Sequence, residues 1–202
     1  PAAGDYASFV LAVHRRGGED ELARLRGEFA AVLIDLTLGG VVAVRDPMGL
    51  KPLYVHDDGG RVVVGSTLDL VLPKVASPQL DPRALADFIH MNLLPREPAR
   101  TLYRGVAQVR PGHIWRRFVG RPADERRYWR PTQGGELWYR DPYEYHQQFR
   151  EHLFAAVDAS IAGEDSILCE LSGGLDSSTV AAVAARLLAP TGGSVTGLSY
   201  IR

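Results

Sequence analysis

Residues 167–178 read ILCELSGGLDSS, an apolar run followed by two glycines and then by serines and an aspartate. The apolar run predicts a buried strand over 166–171. The glycines predict a sharp turn, because glycine has no Cβ to restrict the backbone. A helix over 177–188 and a strand over 194–201 follow. A strand, a helix and a strand of these lengths predict a βαβ unit with parallel strands.

The turn at Gly173 and Gly174 has the features of an anion site. Unpaired N–H groups and the positive end of the helix dipole would face a phosphate that approaches the glycines. Ser172, Ser177 and Ser178 add hydroxyl donors within the same segment. The segment therefore predicts a phosphate-binding loop.

Asp176 by itself is a poor phosphate ligand, because both groups are negative. A carboxylate at this position is useful if it holds Mg²⁺, which then bridges phosphate oxygens. The loop is not a Walker A loop, since that motif needs a lysine before the hydroxyl residue and none is present. The alternative interpretation is a strand–turn–helix connection with a serine or aspartate cap and no ligand.

A long helix is predicted upstream of this unit. It begins at Pro142 with Asp141 as its N-cap, and an apolar stripe recurs every four residues along it. The stripe consists of Tyr145, Phe149, Leu153, Val157 and Ile161. The composition changes at PTQGG, residues 131–135, which indicates a linker; we place this linker at residues 132–140.

The first half is dominated by predicted antiparallel hairpins. The paired runs are 29–36 with 41–45, 53–56 with 61–66, and 106–109 with 113–119 around the Pro111–Gly112 turn. Helices are predicted over 5–16, 21–26 and 68–72, and a further helix begins at Pro82 after an Asp81 N-cap, with Leu85, Phe88 and Ile89 as its apolar face.

Composition excludes several classes of partner. The formal net charge is −1 and no block of lysine and arginine stands out, so neither a nucleic acid nor a membrane surface is predicted as a partner. No apolar run is long enough to span a bilayer. Cys169 is the single cysteine, so nothing indicates an oxidising compartment, and a cytoplasmic location is expected.

The loop and the first half together resemble one family. SGGLDS, residues 172–177, resembles the pyrophosphate loop of the adenylating ATP-pyrophosphatases, or PP-loop enzymes. RLRGEFA at 24–30, RDPMGLKPLY at 45–54, and VRPGH at 109–113 followed by YWRP at 128–131 resemble the glutaminase domain of asparagine synthetases, in the same order. The chain is thus similar to the glutamine-hydrolysing asparagine synthetase family, which includes the β-lactam synthetases and lasso-peptide macrolactam cyclases.

This resemblance implies the fold and the ligands. It implies a partial, inactive α+β glutaminase-like domain of the Ntn type over 1–131. The start of an α/β parallel-sheet ATP-pyrophosphatase domain of the adenine nucleotide alpha hydrolase type follows over 141–202. It implies ATP and Mg²⁺ as cofactors, with the metal on Asp176. The implied ATP- and pyrophosphate-binding residues are Leu171, Ser172, Gly173, Gly174, Leu175, Asp176, Ser177, Ser178 and Ser199.

The implied activity is that of a carbon–nitrogen ligase. Such an enzyme adenylates a small-molecule or peptide carboxylate and lets ammonia or an amine displace AMP, as in asparagine biosynthesis. Macrolactam closure on a precursor peptide, or β-lactam closure, is the alternative within the family. A non-catalytic binding fragment is the alternative from another class. The residues leave the carboxylate, the amine and the oligomeric state open.

The departures from the family pattern define further expectations. No cysteine precedes Cys169, which we interpret as a buried strand residue, and Thr67 stands where the family usually has glutamate. The family's catalytic lysine and second acidic metal site have no counterpart, so no catalytic residue is assigned. We expect the chain to be a fragment that does not hydrolyse ATP alone. Apolar surface should be exposed near its end, where Val180, Val183, Leu187, Val195 and Leu198 have too few partners.

Three weaker signals have simpler explanations. His146 and His152 lie six residues apart on the predicted helix, so they predict exposed side chains rather than a zinc pair. The arginines at 116, 117, 121, 126 and 127 suggest an RNA or leader-peptide contact, but a solvated hairpin is the preferred interpretation. Trp138, Tyr139, Tyr143 and Tyr145 predict either an aromatic peptide-binding patch or packing between the two domains.

Overall fold

The computed structural model describes residues 5–90, 97–131 and 134–200. The chain divides into two compact units, Pro1–Gln133 and Gly134–Arg202, and each is described here by itself. Two predicted features reach outside the described residues: part of the linker, at Thr132 and Gln133, and the end of the last strand, at Ile201.

Among its described residues, the first unit contains three α-helices and seven strands. In chain order they are α1 (Tyr6–Leu22), β1 (Ala30–Asp35), β2 (Gly40–Arg45), β3 (Tyr54–Asp57), β4 (Val62–Gly65), α2 (Leu68–Val71), α3 (Pro82–Ile89), β5 (Val106–Gln108), β6 (His113–Phe118) and β7 (Asp124–Arg127). A short 3₁₀ helix, Leu72–Lys74, follows α2 and contains Pro73. The strands form a four-stranded sheet in the order β1-β2-β6-β7 and a three-stranded sheet in the order β4-β3-β5, both antiparallel.

The two sheets pack face to face with α1 on the outer side of the four-stranded sheet. Between the sheets lies a cluster that consists of Ala43, Leu53, Val55, Val109 and Trp115. A second cluster, on the α1 side, consists of Leu22, Val42, Val44 and Ile114. Strand β2 contributes to both clusters, which explains its unbroken apolar sequence: a strand that is covered on both faces needs apolar side chains at every position.

The structure confirms two predicted hairpins and corrects the third. Strands β1 and β2 pair over Ala30↔Arg45 to Asp35↔Gly40, and β3 pairs with β4 as predicted. Strands β5 and β6, however, lie in different sheets, so the Pro111–Gly112 turn is a crossover and not a hairpin. Strand β7, which pairs with β6, was not predicted, because its sequence DERR lacks apolar alternation.

A buried ionic segment joins the sheets where β2 ends. Arg45 donates to the carbonyl oxygens of Gly49 (2.6 Å), Val109 (2.8 Å) and Lys51 (2.9 Å). Asp46 is fully buried, and its carboxylate accepts three backbone N–H groups, from Met48, Leu50 and Lys51, each at 3.0 Å. Burial lowers the pKa of Arg45, and the Asp46 carboxylate opposes this. The RDPMGLK sequence is thus a folded loop that fixes the approach to β3.

Helix α1 is longer than predicted and kinked. The kink lies at the predicted stop, since Gly17 and Gly18 have non-helical backbone angles. The helical segment beyond it ends at Leu22, so the second helix predicted over 21–26 was placed too late in the chain. The kink places Glu19 beside two arginines of the four-stranded sheet, Arg116 at 3.0 Å and Arg126 at 3.3 Å.

The arginine cluster is compensated by acidic neighbours. Arg116 also pairs with Asp124 at 2.8 Å, a contact that lowers the pKa of that carboxyl, and Arg117 pairs with Asp57 at 2.9 Å. These ion pairs agree with the interpretation as a solvated hairpin.

Helix α3 confirms its predicted cap but not its predicted face. The Asp81 carboxylate accepts the backbone N–H of Arg83 at 2.9 Å, and Pro82 occupies the first turn. The buried residue of the helix is Ala84, whereas Phe88 and Ile89 are exposed. The predicted apolar face of Leu85, Phe88 and Ile89 was therefore wrong for Phe88 and Ile89, and Leu85 is half-buried.

The second unit contains a long helix followed in the chain by the predicted strand–helix–strand arrangement. Its elements are α4 (Pro142–Ile161), β8 (Ser166–Glu170), α5 (Leu175–Leu188), a short 3₁₀ helix (Ala189–Thr191) and β9 (Ser194–Leu198). Strands β8 and β9 pair in parallel, from Ser166↔Ser194 to Glu170↔Leu198. Asp141 caps α4 as predicted, accepting the N–H of Tyr143 at 2.8 Å. Helix α5 begins at Leu175, two residues before the predicted start.

One face of this small sheet is covered and the other is open. Val157 of α4 packs with Val183 and Ala184 of α5, and Ile167 and Val195 lie against them. The prediction that strand β8 is buried was wrong for its open face, where Leu168 is 64% exposed. The predicted lack of partners was wrong for Val183, which is buried, and for Leu187 and Val195, which are half-buried.

Only part of the apolar stripe of α4 is packed against other residues. Val157 is buried and Leu153 and Ile161 pack against the cluster, whereas Tyr145 and Phe149 are exposed. Val180 and Leu198 are exposed as expected. Within the part of the chain that the structure describes, no helix has both the length and the apolar character needed to cross a membrane.

Candidate functional site: the loop between β8 and α5

The loop turns sharply where β8 ends. Gly173 has φ +80°, a backbone conformation that side chains with a Cβ rarely adopt. Gly174 then has extended angles, φ −84° and ψ 166°, and stands at the N-cap position of α5 without a side-chain cap. The first N–H groups of a helix have no partner within the helix, so those at the start of α5 are directed out of the loop.

The serine hydroxyls form a closed set of hydrogen bonds. The hydroxyls of Ser172 and Ser177 lie 3.0 Å apart, and Ser177 Oγ also accepts the N–H of Ser172 at 3.2 Å. Ser178 Oγ donates to the Gly174 carbonyl at 2.9 Å. The two ends of the loop are therefore tied together, which holds the glycine turn in one shape. Sequence reasoning placed both hydroxyls in the segment but did not predict their mutual contact.

The end of β9 is attached to the start of the loop. Ser199 Oγ donates to the Leu171 carbonyl at 3.1 Å, and the Leu171 N–H donates to the Leu198 carbonyl at 2.7 Å. A Cβ added at Gly197 would come within 2.6 Å of the Leu171 side chain. Glycine within a strand often marks such a close approach, so the Gly197 position was a signal that sequence reasoning missed.

Asp176 lies in the first turn of α5 and is exposed. An acidic side chain here also stabilises the helix through its dipole, so the position does not by itself indicate a metal. The described residues contain no group of three or more side chains suited to hold a metal ion. Magnesium in nucleotide sites commonly takes one or two carboxylates, with phosphates and water as its other ligands, and a single exposed carboxylate beside a glycine turn fits that chemistry.

The structure brings the predicted site residues to one edge of the small sheet. Leu171, Ser172, Gly173 and Gly174 form the turn, Leu175 to Ser178 form the first turn of α5, and Ser199 follows β9. Leu175 is 82% exposed and Leu171 is half-buried against Gly197. Leu171 therefore packs the loop, while the glycines, the serines and Asp176 present the polar groups.

Cys169 lies in the middle of β8, opposite Gly197 of β9. We predicted that Cys169 is buried, but it is half-buried, because the residues of β8 alternate between a covered and an open face. His146 and His152 are exposed on α4, as predicted.

We expect the 202-residue chain to release no ammonia from glutamine, because its first unit contains no thiol that could attack an amide. The measurement is ammonia release from glutamine by the chain beside its Cys169→Ala variant. Release by the unmodified chain that is lost in the variant would show that the strand cysteine acts as a nucleophile.

The aromatic residues form one defined contact in the second unit. The rings of Tyr139 and Tyr145 meet edge to face with centroids 4.8 Å apart. The Tyr145 hydroxyl accepts the N–H of Tyr139 and donates to the Leu137 carbonyl, both at 3.0 Å. Trp138 and Tyr143 remain exposed. Tyr145 thus folds the segment that precedes α4 back onto the helix.

Comparison with known proteins agrees with this two-part architecture. Residues 4–129 match the family described as Glutamine amidotransferase domain, and residues 148–198 match the family described as Asparagine synthase. The class is therefore a glutamine amidotransferase domain followed by the start of an asparagine synthase domain. The chain belongs to the glutamine-hydrolysing asparagine synthetase family.

Similar proteins come from fungi and bacteria. The chain is 32% identical to Amidase chyE of Penicillium rubens over 184 residues, which cover 89% of this chain and 26% of that protein. It is 32% identical to a putative glutamine-hydrolysing asparagine synthetase of Mycobacterium bovis, over 88% of this chain and 28% of that protein. It is 26% identical to asparagine synthetase 1 of Bacillus subtilis, with 87% and 27% covered. The chain thus spans about a quarter of the length of these relatives.

Proposed function

We propose that the protein to which this chain belongs is an ATP-dependent amide ligase, and that the loop between β8 and α5 holds the phosphates of ATP. The observation that carries the proposal is the conformation of the loop. A glycine at φ +80° and an uncapped helix start direct backbone N–H groups outward from the end of a strand. Family membership supports the same reaction class.

The proposed reaction has two steps. An oxygen of the substrate carboxylate attacks the α-phosphorus of ATP, and the bond to the departing pyrophosphate breaks. Ammonia or an amine then attacks the acyl carbon, AMP leaves and the nitrogen loses a proton. In this scheme the backbone N–H groups of the loop stabilise the pyrophosphate charge. Asp176 would hold Mg²⁺, which would supply further positive charge to offset that of the phosphates.

The hydroxyl pair has a defined part in this proposal. Ser172 and Ser177 keep the turn closed through the 3.0 Å contact of their oxygens. Either hydroxyl can rotate toward an incoming phosphate oxygen while the other keeps its backbone contact. The loop would therefore be preorganised for a phosphate, so little ordering is needed when the nucleotide binds.

A pair of glycine variants tests the proposal. Gly173 and Gly192 lie in the same unit with φ of +80° and +76°, and neither would bring an added Cβ within 4 Å of another group. Alanine should destabilise the unit by a similar amount, about 1 kcal/mol, at either position. We expect Gly173→Ala to weaken Mg·ATP binding by about 10-fold or more, because strain at this turn reorients the N–H groups of the loop, and Gly192→Ala to leave it unchanged.

The measurement is calorimetric titration of the 202-residue chain and both variants with Mg·ATP, beside thermal unfolding to match their stabilities. Equal affinities of the two variants would contradict the assignment of the loop. No binding of ATP by the unmodified chain would favour a non-catalytic fragment.

A closure enzyme of the same family is the second candidate. The observation behind it is that the first unit resembles a glutaminase domain and contains no cysteine, which fits a closure enzyme and fits equally well a piece of a longer protein. A closure enzyme joins a carboxylate to an amine of the same substrate and needs no ammonia. The complete protein would distinguish the two: amide formation that depends on glutamine or ammonia supports the first proposal, and pyrophosphate release without either supports closure.

A further inference from the structure

One peptide group of the loop, between Leu171 and Ser172, is held at both ends by serine hydroxyls. Its carbonyl oxygen accepts a hydrogen bond from Ser199 Oγ at 3.1 Å, and its N–H donates to Ser177 Oγ at 3.2 Å. A peptide group is planar, so fixing its carbonyl and its N–H together fixes the orientation of the whole plane. One of these hydroxyls follows β9, and the other lies in the first turn of α5.

This peptide group lies where β8 gives way to the loop. The Leu171 N–H donates to the Leu198 carbonyl at 2.7 Å, one residue past Glu170, the last paired residue of β8. The Leu171 side chain lies beside Gly197, where an added Cβ would come within 2.6 Å of it. The turn at Gly173, with φ +80°, follows two residues later. The orientation of the peptide group therefore sets the direction in which the chain enters the glycine turn.

The hydroxyl proton of Ser199 is already used within the protein. A serine hydroxyl has a single proton, so while Ser199 donates to the Leu171 carbonyl it cannot donate to a phosphate oxygen. Ser177 can direct its own proton to the Gly174 carbonyl, 3.4 Å away, while its oxygen accepts the Ser172 N–H. Of the two paired hydroxyls, that of Ser172 can therefore turn toward a phosphate oxygen without giving up a carbonyl partner.

We infer that Ser199 is a positioning residue: together with Ser177 it holds the Leu171–Ser172 peptide group in the orientation that phosphate binding requires, and it is not itself a phosphate ligand. This inference rests on the proposed function of the loop. It replaces the role that the resemblance implies for Ser199, which is direct contact with ATP. Without the Ser199 hydroxyl the peptide group can rotate, so the loop must be ordered when the nucleotide binds, and that cost lowers the affinity.

Substitution of Ser199 tests the effect on binding. We expect Ser199→Ala to weaken Mg·ATP binding by about 3- to 10-fold, the range that the loss of one hydrogen bond gives. Ser199→Thr keeps the hydroxyl and should bind within about 2-fold of the unmodified chain. The matched control is Thr191→Ala, which removes a hydroxyl that donates to the Leu188 carbonyl at 2.9 Å, at the other end of α5. It should leave the affinity unchanged.

A double-mutant cycle separates positioning from direct contact with the phosphate. A peptide group that is held at one atom can still turn about that atom, so the loss of either hydroxyl already frees its orientation. The variant that combines Ser177→Ala with Ser199→Ala should therefore bind about as weakly as the weaker of the two single variants. Two hydroxyls that contacted the phosphates independently would instead multiply their effects. Calorimetric titration gives the affinities, and circular dichroism confirms that each variant is folded.

Hydrogen exchange of the chain without nucleotide gives a second readout. If Ser199 holds the peptide group, Ser199→Ala should loosen the bond from the Ser172 N–H to Ser177 and make this N–H exchange at least about 3-fold faster. Thr191→Ala should leave its exchange rate unchanged. A Ser199 hydroxyl that served only as a phosphate ligand would have no effect on the Ser172 N–H before the nucleotide binds.

The outcomes distinguish this inference from the proposed function. Equal affinities of Ser199→Ala and Thr191→Ala, single effects that multiply in the double variant, or an unchanged exchange rate of the Ser172 N–H in Ser199→Ala would each overturn the inference. If the unmodified chain bound no Mg·ATP, the proposed function would fail. Faster exchange of the Ser172 N–H in Ser199→Ala would then still support the role of Ser199 in holding the peptide group.

Discussion

Replacing Asp176 with alanine is expected to weaken Mg·ATP binding by at least about 10-fold, because the side chain is proposed to hold the metal that offsets the phosphate charge. Asp176→Asn should show the same loss, since the amide keeps the size of the side chain and removes its charge. In EDTA the sign should reverse: without Mg²⁺ the carboxylate repels the phosphates, so both variants should bind ATP as tightly as the unmodified chain or more tightly.

The control is Asp158→Ala, which removes an exposed carboxylate from α4, outside the loop. Calorimetric titrations of the four proteins, each with and without Mg²⁺, separate a metal-dependent effect from a loss of folding. If Asp176→Ala bound Mg·ATP with unchanged affinity, the carboxylate would serve only to stabilise the start of α5 through the helix dipole.

Replacing Asp46 with alanine is expected to lower the free energy of unfolding of the first unit by about 3 kcal/mol or more. The change would leave the buried N–H groups of Met48, Leu50 and Lys51 without an acceptor. It would also remove a negative charge that opposes the effect of burial on Arg45, whose pKa is already lowered by that burial. Asp46→Asn should be destabilising as well. Oδ2 of Asp46 accepts the backbone N–H of Lys51, and an amide NH₂ in its place would bring two hydrogen-bond donors together.

The control for Asp46 is Asp35→Ala. Asp35 also accepts two backbone N–H groups, but in the exposed turn after β1, where water can replace the carboxylate. Its loss should cost about 1 kcal/mol or less. Urea unfolding followed by the fluorescence of Trp115, which lies in the cluster between the sheets, reports on this unit. Similar midpoints for Asp46→Ala and Asp35→Ala would mean that the buried loop relaxes to expose its N–H groups.

Family membership and the local geometry support the proposed function from different directions. The match over 4–129 and 148–198 gives the order of the two domains. The glycine turn, the uncapped start of α5 and the closed serine pair describe a site suited to a phosphate. The proposed reaction is that of the whole protein, because this chain spans only about a quarter of the length of its relatives.

The sequence by itself determined the features that depend on neighbouring residues. The Asp81 and Asp141 caps, the β1–β2 and β3–β4 hairpins and the turn at Gly173 all follow from local preferences, because a cap, a tight turn or a short hairpin is closed within a few residues. The parallel βαβ unit was also predictable, since strand and helix lengths restrict its connection. The loop residues of the candidate site were predicted from the same kind of local pattern.

Only the tertiary structure decided which surfaces are covered and which distant groups meet. It placed β5 and β6 in different sheets, and it paired the charged β7 with β6, because sheet partners are chosen by packing across the whole unit. It buried Val183 but left Phe88, Ile34 and Leu168 exposed, although all four are apolar. It brought Arg45 to the Val109 carbonyl, 64 residues away in sequence. Whether a residue is buried or forms a long-range hydrogen bond depends on the element that packs against it. The sequence pattern shows only which residues share one face of a helix or strand.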